Sequence, residues 1–77
     1  MPSTEFAPRI TVDPDVSFGK PVIAGTRVPV ATVIGHLAAG DSIELLMEEF
    51  GLKREDVLAA LSYAASTVAN DQVRAVK

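Results

Sequence analysis

The sequence predicts a mainly α domain in which a short N-terminal β-ribbon precedes a trihelical helix-turn-helix bundle. Three observations lead there. Two short runs rich in β-branched residues, Arg9 to Val12 and Pro21 to Ile23, both precede residue 24. After Pro29 the apolar residues recur at helical spacing in three successive blocks. Gly40 and Gly51 stand where the first two blocks end, in the place that most often closes a helix.

The elements follow in chain order. Residues 1–8 hold two prolines without periodicity and read as a flexible leader. Arg9-Ile10-Thr11-Val12 reads as a strand that ends at the turn signal Asp13-Pro14-Asp15. Val16 to Lys20 is a loop, with Phe18 expected to anchor it in the core. Pro21-Val22-Ile23 is the second strand, and Ala24-Gly25-Thr26 turns the chain towards the helices. A two-stranded ribbon is barely stable alone, so it must pack on helices or pair with another chain.

Pro29 suits the first turn of a helix, where its missing N–H is no loss. Val30, Val33, Ile34, Leu37 and Ala38 line that helix, with His36 off the stripe as a surface or partner-contact residue. Asp41-Ser42 supplies an N-cap, and Asp41 with Glu44 matches a capping box. Ile43, Leu46, Met47 and Phe50 form the stripe of a short second helix. A third starts near Lys53 or Arg54, with Glu55 and Asp56 at the positive end of its dipole. Val57, Leu61, Ala64 and Val68 are expected on its inner face, and residues 70–77 form a C-terminal tail. The folded domain is thus expected over residues 9–69.

Composition narrows the function. The chain has 77 residues, which is one domain, and its net charge is −3. A domain this small buries only about 60% of the surface its unfolded chain exposes, so a partner chain is an expected source of stability. With no cysteine and one histidine, neither a disulfide nor a metal site is expected. The residues 1–8 lack the pattern of a secretory signal, and the longest apolar run is too short for a membrane span. A cytoplasmic location, no cofactor and no catalytic role are the corresponding expectations. No catalytic triad can be assembled, and Gly19-Lys20 lacks the spacing of a phosphate loop. Asp13 and Asp15 read as turn formers, and Glu48 and Glu49 as a solvated face.

The segment Ile43 to Ser62 has the pattern of a helix-turn-helix. Leu46, Phe50, Leu52, Val57 and Leu61 are its apolar positions, and Gly51 tolerates the left-handed backbone of the turn. Met47 stands where a smaller residue often lets the helices close, and its adaptability offsets this. If the third helix entered a major groove, Lys53, Arg54 and Ser62 would face the DNA. Against this, residues 41–62 carry Lys53 and Arg54 beside six acidic residues, a net charge of −4. DNA affinity rests largely on basic groups meeting phosphates, so binding would need a dimer.

Arg9-Ile10, the run Gly19-Lys20-Pro21-Val22-Ile23-Ala24-Gly25-Thr26-Arg27-Val28-Pro29-Val30, Gly40 to Glu44 and Leu52 to Ala64 together resemble the small bacterial and archaeal "domain of unknown function 433" proteins. The resemblance covers about residues 9–65. It implies a β-ribbon with a homeodomain-like trihelical fold. It further implies an antitoxin of VapB type, a homodimer that binds operator DNA and neutralises a toxin with a PIN-like nuclease domain. Lys53 departs from the family, which often has Thr or Ser there as helix N-cap.

Within the signature, Gly25-Thr26-Arg27 reads first as a turn with Thr26 as a local cap. Arg27 is also suited to grip a phosphate or carboxylate. Glu44, Glu48 and Glu49, with the tail and its Arg74, are the candidate partner-binding residues; Gly25, Gly40 and Gly51 are the structural turns. The alternatives are a stand-alone helix-turn-helix regulator and a structural interaction module without DNA binding.

Overall fold

The computed structural model describes residues 4–71, and the side chains of residues 7–70. Three strands, β1 (Thr4–Ala7), β2 (Ile10–Val12) and β3 (Val22–Ile23), precede three helices, α1 (Val30–Ala38), α2 (Ile43–Phe50) and α3 (Arg54–Asp71). The strands form one antiparallel sheet in the order β1-β2-β3. Thr4 to Ala7 therefore belong to the sheet rather than to a leader. The reason is β2, whose two edges both find partners: Thr11 is opposite Glu5 on one side and Val22 on the other.

The Gly-Lys-Pro-Val-Ile-Ala-Gly-Thr-Arg segment folds as a tight return. Ile23 N–H donates to the Val28 carbonyl and Val30 N–H to that of Pro21. The hydroxyl of Thr26 donates to the Ile23 carbonyl at 2.8 Å and accepts from Val28 N–H at 3.0 Å. This short motif thus hands the chain from the sheet to α1, and Pro29 is the N-cap of that helix. Asp13 forms the expected turn, its carboxylate accepting from Asp15 N–H at 2.8 Å.

The core lies between sheet and helices. Ile10 and Ile23 come from the sheet, Val30 and Val33 from α1, Leu46 from α2, Leu52 from the corner, and Val57 and Ala60 from α3. At the corner Gly51 is left-handed, with φ of 68°, and Leu52 N–H donates back to the Met47 carbonyl. Met47 is half-buried against the core, so the corner closes around it.

Further expectations are corrected. Phe18 is not a core anchor: it is 97% exposed. Ser17, Phe18 and Gly19 form a single turn with φ of 52°, 58° and 81°, and that turn throws the ring outward while the core closes without it. Ser42, rather than Asp41, caps α2, accepting from Leu45 N–H at 3.0 Å. Asp41 is engaged elsewhere, 2.8 Å from His36 Nδ1. His36 also meets the Phe50 ring edge-on at 5.4 Å, so it joins α1 to α2 as well as facing solvent.

The inner face of α3 is turned from the expected one. Asp56, Val57 and Ala60 are buried, with Tyr63 and Ala64 half-buried, whereas Leu61 and Val68 are 38% and 68% exposed. Once residue 56 points inward, a period of 3.6 sends 60, 63 and 64 inward and 58, 61 and 65 outward.

Candidate interaction surface

Asp56 sets that rotation. Its Oδ1 accepts from Arg9 Nη1 at 2.8 Å and its Oδ2 from Lys53 N–H at 3.0 Å. The second bond is one arm of a capping box, from the third helical residue back to the N-cap. The other arm is missing because a lysine side chain cannot accept. Arg9, left-handed in the β1–β2 turn with φ of 63°, thereby ties the sheet to the first turn of α3. Sequence reasoning placed Asp56 at the helix dipole but gave no sign of its partner 47 residues away.

Of the residues expected to face DNA, Lys53 and Arg54 are exposed at the start of α3 and Ser62 is exposed two turns on. Arg27 is exposed on the turn ahead of α1, a different element. Arg54 is committed within the molecule: its Nη2 lies 2.6 Å from Glu44 Oε2, bridging α2 and α3 across the corner. Glu44's carboxyl is held below its ordinary value, first by a backbone hydrogen bond and then by Arg54. One expected DNA contact and one expected partner contact therefore engage each other. Gly25, Gly40 and Gly51 are all left-handed, with φ of 78°, 100° and 68°. Arg74 lies outside the described residues.

Two surfaces stand out. On α2, Glu44, Glu48 and Glu49 are exposed, and 100° per residue places Leu45 between them on the same outward arc. Leu45 is 41% exposed, an apolar spot in an acidic surround. On α3, Leu58 (47% exposed), Leu61, Ala65 and Val68 run along the outer face at spacings of three and four. A helix meant for a major groove presents polar and basic groups there, and this one presents leucine. The stripe on α3 was not legible as exposed, because that helix is apolar on more than one side and periodicity alone does not choose between them.

Among the described residues no group of His, Cys, Asp and Glu is placed to hold a metal ion. Among them, too, no helix is long and apolar enough to cross a membrane.

A family model described as "Protein of unknown function (DUF433)" matches residues 10–64. The chain is similar to the uncharacterised protein y4eO of Sinorhizobium fredii, 43% identical over 56 residues that make up 71% of this chain and 25% of that protein. It is also similar to the crystal structure of Rv2018 from Mycobacterium tuberculosis, at a TM-score of 0.62 and 33% identity, over 68% of this chain and 24% of that one. The chain thus spans about a quarter of the length of each.

Proposed function

The chain belongs to the DUF433 family of proteins of unknown function, and we propose that it is the antitoxin of a toxin–antitoxin pair, masking a PIN-like nuclease by direct contact. The observation that supports this is the outward arc of α2, where the exposed Leu45 sits among Glu44, Glu48 and Glu49. A nuclease groove that grips nucleic acid is basic, and carboxylates complement it, speeding encounter and fixing orientation. A desolvated leucine at the centre supplies the apolar anchor that such interfaces use, with the charges as its rim.

The test is the light-scattering mass of the chain mixed with a PIN-like protein encoded beside it. A stable hetero-complex that Leu45→Arg and the pair Glu48→Lys, Glu49→Lys both abolish is the expected result. Failure to form any complex, or a complex indifferent to these changes, overturns the reading.

Operator binding is the second reading, favoured by the exposure of Lys53, Arg54 and Ser62 on the second helix of the corner. It requires a dimer to double a thin basic surface. Its signature is a sequence-specific gel shift that weakens steeply with salt and is lost in Arg54→Ala while the fold persists. Binding that ignores sequence, or that survives Arg54→Ala unchanged, would leave the protein-binding role alone.

A further inference from the structure

A fully exposed phenylalanine needs an explanation. Phe18 sits at the tip of the turn between β2 and β3, held there by hydrogen bonds from Gly19 N–H to the Val16 carbonyl and from Lys20 N–H to that of Ser17. Both Ser17 and Phe18 are left-handed, a conformation that residues with a side chain adopt only at a cost. Among the described residues no packing of the ring offsets that cost, because it is 97% exposed.

Beside this knob lies a hole. A groove of about 330 Å³ opens between the start of α1 and the second half of α3, lined by Lys20, Pro21, Val30, Ile34, Ala64 and Val68 among others. Its walls are almost wholly apolar. Val68, at its rim, belongs to the exposed stripe of α3, so groove and stripe are one continuous surface. Lys20 and Pro21, two and three residues after Phe18, line the groove, so the loop that carries the knob also forms one wall of the hole.

We propose that this face is the dimer interface, with Phe18 of each protomer seated in the α1–α3 groove of a second copy. A knob next to its own complementary hole is what a two-fold axis requires: one rotation places both rings in both grooves. A single ring entering a groove removes roughly 150–250 Å² of its own surface and a smaller area of wall. The reciprocal pair therefore buries roughly 500–750 Å², and the adjoining exposed stripe of Leu58, Leu61 and Ala65 against its mate carries this towards the roughly 1,200 Å² at the lower end of stable interfaces. One ring in one groove, as with an unrelated partner, reaches half of that. The inference supplies the dimer that the operator-binding reading requires, and it uses a surface other than the acidic arc of α2.

The experiment is the mass of the full chain by sedimentation equilibrium over a concentration series, with Phe18→Asp, Val68→Asp and their mixture. Both side chains are exposed, so neither change removes a core contact; circular dichroism checks the fold. Wild type is expected as a dimer, and each variant alone is expected to dissociate with a constant raised roughly 30-fold or more, as for interface hot spots.

Mixing the two variants is the discriminating step. A mixed dimer retains one intact pair, the Phe18 of the Val68→Asp chain in the groove of the Phe18→Asp chain, so association is expected to recover in part. A monomeric wild type, a dimer unmoved by either change, or a mixture no better than its components overturns the proposal. Each of these masses is read on the chain alone, so the outcome is independent of whether a toxin or DNA binds it.

Discussion

Asp56 carries two jobs with one carboxylate. It receives Arg9 from the sheet and caps the backbone of Lys53, and it does so almost wholly out of solvent. Asp56→Ala leaves the Lys53 N–H and the guanidinium without this acceptor, and is expected to cost about 2–3 kcal/mol in urea unfolding, as for hydrogen bonds to charged groups. Arg9→Ala removes only one of the two bonds, and its side chain is 44% exposed, so a smaller loss of about 1 kcal/mol is expected. A double-mutant cycle that finds no coupling between them would deny the bridge. Glu44 gives a second residue-scale prediction. Its carboxyl is held low, so its contribution to stability is present above the unfolded value and is lost as pH falls through the lower, folded one. Carbon-detected NMR titration should find Glu44 below the ordinary glutamate value of 4.5. Arg54→Ala should bring it part of the way back, because the largest cause is a backbone hydrogen bond rather than the arginine.

At the scale of elements, the three helices and their punctuation were readable, and the reasons are local. Gly51 closes α2 with φ of 68°, and a Cβ built there meets nothing within 4 Å. Gly51→Ala is therefore a pure backbone test, expected to cost about 1–2 kcal/mol through the left-handed conformation alone. Lys53 tests the opposite direction. It occupies the N-cap of α3 without an accepting side chain, while Asp56 already completes the reverse arm of the box. Lys53→Ser supplies the missing arm and is expected to stabilise the chain by about 0.5–1 kcal/mol in thermal or urea unfolding. An unchanged midpoint would mean that the side chain at 53 does not compete for the Asp56 N–H, which donates to the Lys53 carbonyl at 2.9 Å. The rotation of α3 was not readable, and the cause is equally specific. Leu58, Leu61, Ala65 and Val68 set a second apolar face beside the inward one, and what decides between them is a contact between Asp56 and Arg9, far apart in sequence. β1 escaped notice because its pairing depends on the free edge of β2, which no composition reveals.

For the whole molecule the difficulty is that apolar residues serve two ends in a chain of this size. Ile10, Ile23, Val33, Leu46 and Val57, all at most 1% exposed, form a core drawn from the sheet and all three helices. Phe18, Leu58, Leu61 and Val68 are as apolar and lie outside it. Apolar character alone cannot separate residues that face a core from those that a second chain would cover; Phe18, in a loop without periodicity, was expected inside on that character. The distinction has a thermodynamic consequence. If the outer set is covered by a second copy, part of the stability belongs to association, and by mass action the melting temperature rises with protein concentration. A core set covered within one chain gives a melting temperature that does not depend on concentration. Scanning calorimetry of wild type and Phe18→Asp over a wide concentration range tests this: a rising midpoint is expected for the first and a flat one for the second. Leu46→Ala, by contrast, is expected to lower both by about 2–5 kcal/mol of stability, because its cavity opens inside each protomer whether or not a partner is present.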